Sequence, residues 1–153
     1  MGEFAWHIWE PMEGHFSFNL FDRAIEVLGK AGIKTILCTP IATPPRWLTV
    51  NYPVVLRVDA NGRVAGHGSR QHGDTTSPVF RAHSRRITRA MAEHYEDNPH
   101  VIGWQTDNEL NTTASESYSA TCQLEFQKYR SHVHPDIHAV NHALGRPLPG
   151  PGL

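Results

Sequence analysis

Apolar residues at Leu20, Ala24, Val27, Leu28 and Ala31 recur at helical spacing and predict a helix over residues 20–31, stopped by Gly32. The run Ile33-Lys34-Thr35-Ile36-Leu37-Cys38-Thr39 is β-branched and mostly apolar, and predicts a buried strand ended by Pro40. Phe4-Ala5-Trp6 is a shorter apolar run that could end a strand of its own. Ser77-Pro78 pairs an N-cap residue with proline at the first helical position. The helix it opens carries Val79, Ile87, Ala90, Met91 and Tyr95 on one side and stops near Asp97-Asn98-Pro99. Residues 101–107 predict another strand. A further helix from Ser115 to about His132 has Leu124, Phe126 and Tyr129 as its apolar candidates.

Between the second strand and the proline-started helix lies an irregular stretch, residues 40–76, holding Pro44-Pro45, Asn61-Gly62, Gly66 and Gly68. Loops of that length in compact domains are usually functional or disordered. Asn61-Gly62, set between residues 56–58 and 63–65, could close a small hairpin. The whole order is strand, helix, strand, long loop, helix, strand, helix. Such alternation implies parallel strands joined by crossover helices, an α/β fold. No internal repeat is visible. The last residues, 146–153, are nearly all proline, glycine and leucine and form an irregular tail rather than helix or central strand.

Composition narrows the function classes. A hydrophobic fraction of 39% and a charged fraction of 19% fit a globular chain. No apolar run approaches the roughly 20 residues of a membrane span, and the start lacks the basic and apolar regions of a secretory signal. A net charge of −1 leaves no basic footprint for nucleic acid or anionic lipid. Cys38 and Cys122 stand far apart, which makes neither a disulfide framework nor a zinc signature; a cytoplasmic setting is the default expectation.

In parallel barrels the chemistry sits at the carboxyl ends of strands and in the loops that follow. The strand over residues 101–107 runs directly into Asn108-Glu109. Glycoside hydrolysis uses two carboxyl groups flanking the scissile bond, about 5–5.5 Å apart in retaining enzymes. Glu109 fits the proton donor, and Asn108 could bond a sugar 2-hydroxyl. Taken alone the pair is weak, because a glutamate after a strand is more often a solvated surface residue.

The surrounding motifs sharpen this reading. Gly2-Glu3-Phe4-Ala5-Trp6 with Glu10-Pro11-Met12-Glu13-Gly14 resembles the second barrel strand and following loop of glycoside hydrolase family 42 β-galactosidases. Ala31-Gly32-Ile33-Lys34 and Thr39-Pro40-Ile41-Ala42-Thr43-Pro44-Pro45-Arg46-Trp47-Leu48 resemble its third strand and loop. Gly68-Ser69-Arg70 and Ser77-Pro78-Val79-Phe80-Arg81 match as well, and Val101-Ile102-Gly103-Trp104-Gln105-Thr106-Asp107-Asn108-Glu109 resembles the fourth strand and acid/base motif. The resemblance implies a partial (β/α)8 (TIM) barrel, about strands 2 to 4 with their helices, over residues 1–145. It implies a retaining hydrolase of terminal β-D-galactosides with Glu109 as general acid/base. Asn108 would be its substrate-binding neighbour and Arg70 a sugar-binding arginine, and no cofactor is implied. Intact members are often homo-oligomers, commonly trimers. Glu3 could reach the pocket, but a structural ion pair is the more ordinary role. Trp6, Trp47 and Trp104 could each face a sugar, yet large aromatics near strands are more often core.

The chain also departs from that pattern. The family nucleophile is a glutamate on a late strand, and the downstream carboxylates Glu116, Glu125 and Asp136 follow no predicted strand. The first barrel strand and helix have no counterpart ahead of Met1. Many members hold a structural zinc through four cysteines; the matching positions here are Asp74, Ser117, Ser119 and Cys122, and one thiolate does not make a tetrahedral site. No zinc is expected. The abrupt loss of resemblance in the tail suggests an altered or early-ended reading frame, which the other two frames of the nucleotide sequence would reveal. Two rival readings remain. One is a non-catalytic sugar- or partner-binding fragment, whose open barrel would expose strand edges. The other is a metal module on His132, His134, His138 and His142, where Pro135 interrupts a continuous helix.

Overall fold

A computed structural model describes residues 1–68, 70–109 and 116–145. Helix α1 (Trp6–Trp9) is a single turn, and α2 (Asn19–Lys30) follows. Strand β1 (Thr35–Cys38) then leads through α3 (Arg46–Asn51) and a 3₁₀ turn (Pro53–Val55) to α4 (Pro78–Tyr95). Strand β2 (Val101–Gln105) comes next. These elements belong to one compact unit, Met1–Ser119. A second begins at Ala120 and contains α5 (Ala120–Val133) and α6 (Ile137–Ala143).

β1 and β2 pair in parallel, with Leu37 opposite Trp104 and Cys38 opposite Gln105. The expected alternation is therefore present, and α4 lies on the crossover between the two strands. The apolar run at residues 4–6 turns into α1 instead of ending a strand. The backbone just ahead of it nevertheless joins the sheet: Met1 donates its amino group to the Ile36 carbonyl at 2.8 Å and accepts from the Cys38 amide at 2.8 Å. Those two bonds straddle Leu37 as a parallel neighbour would.

The proline-started helix forms as its sequence dictates. The Ser77 hydroxyl accepts from the Phe80 amide, and Pro78 occupies the first turn. Its buried side is Phe80, His83, Ile87, Met91 and Tyr95. In the long loop, α3 and the 3₁₀ turn organise a stretch that the sequence left irregular. The Asn61-Gly62 hairpin closes through Asp59 and Arg63, and a bridge pairs Val58 with Val64. α5 starts at Ala120, and Leu124, Phe126 and Tyr129 are all exposed; the helix buries none of its residues. Residues 146–153 lie outside the described residues.

The core gathers Trp6, Trp9, Phe21, Leu48, Ile87 and Tyr95 with neighbouring aliphatics. Trp9 stacks on Phe21 with ring centroids 3.6 Å apart and meets the edge of Tyr95. Burial, followed by the bond from its hydroxyl to Asp22 at 2.8 Å, pushes the Tyr95 phenol well above its ordinary range. One charge is fully enclosed here. Glu10 is 0% exposed and accepts from Trp6 Nε1 at 3.0 Å, from the Gly14 amide at 2.7 Å and from the Arg86 guanidinium. Arg86 also faces Glu13 at 3.7 Å and lies over the Trp47 ring.

Two outcomes follow from this packing. Arg86→Ala leaves the Glu10 carboxylate buried without its cation and should cost about 3 kcal/mol, read as a lower urea midpoint at unchanged slope. His83 packs between Trp47 and Tyr52, and its pKa is lowered by burial first and by the Arg86 charge second. The folded chain therefore favours the neutral ring. That contribution to stability is present above the unfolded value of about 6.5 and is lost as pH falls through the lowered folded value. The melting temperature should drop as pH falls below the unfolded value of about 6.5, and His83→Gln should flatten that dependence.

Candidate functional site

Parallel pairing brings the carboxyl ends of β1 and β2 to one edge, so the loops that leave them start side by side. The Thr39 amide bonds the Gln105 carbonyl at 3.0 Å, and the Thr39 hydroxyl donates to the Thr106 carbonyl. From this edge the first loop carries Arg70 and Gln71, and the second carries Asn108 and Glu109. The two loops meet through side chains. Arg70 Nη2 lies 2.5 Å from Glu109 Oε2. Gln71 Nε2 donates to the carbonyls of Glu109 at 2.6 Å and Asn108 at 3.2 Å.

Each member is held from behind. The Arg70 guanidinium sits over the Phe4 ring, 5.0 Å from its centroid, so the turn before α1 supports it from below. The Gln71 amide donates to the Ala42 carbonyl at 2.9 Å, tying it to the start of its own loop. The Asn108 side-chain oxygen accepts from Gln105 Nε2 at 2.9 Å, and its amide donates to Asp107 at 2.7 Å. Glu109 and Gln71 both have positive φ, +48° and +55°. Residues other than glycine adopt that region at some cost, and such strain tends to gather where a side chain must point in a required direction. The Glu109 side chain is 53% exposed and Arg70 31% exposed, so both can be reached by a ligand.

Beside Phe4 opens a cleft of about 370 Å³ whose walls include Thr43, Pro44, His67, Gly68 and His72. The His67 pKa is lowered by burial and then by the nearby Arg46 charge, and His67 Nδ1 lies 3.1 Å from the Thr49 hydroxyl. Cys38 lies at the same strand edge; burial first, and the Glu3 charge next, push its thiol up.

The structure thus brings together all three residues singled out in the sequence: Arg70, Asn108 and Glu109. It adds Gln71 and Phe4, which sequence reasoning missed. Gln71 had no signal beyond its place next to Arg70, and Phe4 read only as part of a strand. Trp6 is fully buried core and cannot face a sugar, Trp47 is half-buried, and Trp104 is exposed. Glu3 makes no ion pair among the described residues. His138 and His142 share α6 at helical spacing, but no group of three or more potential ligands among the described residues could hold a metal. Among the described residues no helix is long and apolar enough to cross a membrane.

Arg70 and Glu109 face each other at the carboxyl edge of parallel strands, the edge from which functional side chains come in parallel barrels. The family model for beta-galactosidase, glycoside hydrolase family 42, matches residues 1–148, and the chain belongs to that family. It is 40% identical over 146 residues to beta-galactosidase Bga of Halorubrum lacusprofundi, covering 95% of this chain and 21% of the relative. It is 43% identical over 145 residues to beta-galactosidase BbgII of Bifidobacterium bifidum, with 95% and 21% covered. Among solved structures, the beta-galactosidase of the Antarctic haloarchaeon Halorubrum lacusprofundi superposes with a TM-score of 0.88 at 40% identity, covering 94% of this chain and 22% of that one. A catalytic mutant of Gan42B, a GH42 beta-galactosidase from G. stearothermophilus, superposes with a TM-score of 0.87 at 35% identity, covering 94% and 21%. The chain therefore spans about a fifth of the length of the relatives it matches, and its fold is part of a (β/α)8 barrel.

Gln71 bonds two consecutive carbonyls of the loop that carries Glu109, so its removal should loosen that loop. Gln71→Ala should speed amide exchange across residues 106–109 by about tenfold, the equivalent of one to two hydrogen bonds. The amides of α4 should keep their rates, and unchanged exchange at residues 106–109 would show that other contacts hold the loop.

Proposed function

We propose that this chain supplies one half of the catalytic machinery of a retaining hydrolase of terminal β-D-galactosides. The pairing of Arg70 with Glu109 at the carboxyl edge of β1 and β2 carries this reading. Glu109 protonates the leaving glycosidic oxygen. In the second step it takes a proton from the water that releases the sugar, the reversal of role expected of a retaining acid/base. Asn108 and Arg70 donate to sugar hydroxyls; a planar guanidinium suits this because its donors keep a fixed geometry.

The second carboxylate, which attacks the anomeric carbon, is not assigned to any residue of this segment. Glu125 lies on α5 paired with Lys128, Asp136 caps α6, and Glu116 accepts from the Tyr118 hydroxyl; among the described residues none directly follows a strand. Under this reading the chain alone has one carboxyl where the reaction needs two, and it does not turn over by itself.

The test is a chimaera in which this segment replaces the matching stretch of the Halorubrum lacusprofundi enzyme. The chimaera should hydrolyse β-galactosides. Glu109→Gln should lower kcat/KM by about 10²–10⁴-fold for substrates with an alkyl leaving group, and far less for nitrophenyl galactosides, whose leaving group needs no proton. Equal losses of kcat/KM on both substrate types would remove Glu109 from the acid/base role. Hydrolysis by the 153-residue chain alone, absent in its Glu109→Gln variant, would show a second carboxylate at work within the segment.

A further inference from the structure

The carboxylate of Asp74 is 1% exposed and collects bonds from two stretches of chain, its own and residues 117–119. Its Oδ1 accepts from the Thr76 amide at 2.9 Å and the Thr76 hydroxyl at 2.6 Å. Its Oδ2 accepts from the Ser117 hydroxyl at 3.3 Å and from the Ser119 hydroxyl. The main chain of Asp74 is held as well: its amide donates to the Val55 carbonyl at 2.7 Å, and its carbonyl accepts from the Ser77 amide that opens α4. Ser117 Oγ also accepts from the Val58 amide at 3.4 Å, and the Tyr118 amide donates to the Val58 carbonyl at 2.8 Å. Residues 116–119 follow the loop of Glu109, whereas residues 70–77 carry Arg70 and Gln71. Asp74 therefore fastens the loop of Glu109 to the loop of Arg70 a few residues beyond the candidate site.

Many members of the resembled family hold a zinc through four cysteines, and the matching positions in this chain are Asp74, Ser117, Ser119 and Cys122. The residues do not fit that ion. Neutral serine hydroxyls are poor zinc ligands beside thiolate or imidazole. Here both hydroxyls donate to the carboxylate, and both carboxylate oxygens are already occupied by donors.

We infer that Asp74, Ser117 and Ser119 form a metal-free clamp that closes the loop carrying Glu109 onto the loop carrying Arg70. A buried carboxylate with a full set of hydroxyl and amide donors supplies the directional cross-link that a metal would otherwise give. Asp74 is a positioning residue in this scheme and touches no substrate. The inference concerns loop closure and stands apart from the acid/base role of Glu109, since its test reads hydrogen exchange and not turnover.

The test compares site-resolved amide exchange in the 153-residue chain and in Asp74→Asn, with and without EDTA. An amide oxygen can take over some of the accepted bonds, but the NH2 group that replaces the other oxygen cannot accept from hydroxyls. Exchange at Tyr118 should rise at least tenfold in the variant, with the Ile87 and Met91 amides of α4 unchanged, and EDTA should leave the parent chain unaffected. Parent-like exchange at Tyr118 in Asp74→Asn overturns the clamp. Uniform acceleration that includes α4 overturns it too, because Asp74 would then support global stability only. Acceleration of the parent chain by EDTA, or stoichiometric zinc in the purified protein, shows closure by metal instead. Should Asp74→Asn fail to fold, Ser119→Ala keeps the carboxylate and removes one donor. It should give the same local rise at Tyr118, and its absence there counts against the clamp.

Discussion

The buried carboxylate of Glu10 is the constraint on which the first unit depends. A charge that is 0% exposed is tolerable only where donors surround it, and its donors come from separated parts of the chain: the Trp6 indole, the Gly14 amide and the Arg86 guanidinium. Its own carbonyl accepts from the Trp47 indole at 2.8 Å. A single residue thus links α1, the turn after it, α3 and α4. Because α3 and α4 lie at either end of the long loop between β1 and β2, this linkage limits where that loop can run. Glu13 extends the network to Tyr52, whose phenol donates to it at 3.1 Å and whose pKa is raised chiefly by that bond.

From this anchor the candidate site follows mechanically. The parallel register of β1 and β2 sets two loop origins side by side, and the Thr39 bonds to Gln105 and Thr106 fix their separation. Arg70 and Glu109 then meet across the gap, with Gln71 holding the backbone of one loop from the other. The positive φ of both Gln71 and Glu109 is the local cost of this meeting. Farther along the loops, Asp74 joins the same two segments again, so the pair is bracketed by polar contacts on both sides.

The sheet is narrow, and some of its apolar residues stay in solvent. Ile36 and Ile102 are more than half exposed and Trp104 is 39% exposed, although each lies on a strand. In a closed barrel such positions are covered by neighbouring strands or helices. The relatives matched by this chain are about five times longer, which is consistent with covering elements that this segment does not contain.

The sequence by itself determined the elements whose cause is local. Ser77-Pro78 starts α4 because a hydroxyl cap and a fixed φ act over a few residues, and Asn61-Gly62 closes its hairpin because that dipeptide accepts the turn. The motif ending in Asn108-Glu109 put those residues just after the carboxyl end of β2, where the structure has them, since a strand's direction alone decides where its following loop emerges. Arg70 was legible only through family resemblance, because nothing local distinguishes it from a solvated arginine. Tertiary structure decided the rest. The run at residues 4–6 became a helical turn because Trp6 and Trp9 are drawn into the core, which a count of apolar residues does not foresee. Gln71, Phe4 and the Asp74 cluster acquire their roles from partners tens of residues away, and contacts at that separation leave no periodic trace in the chain.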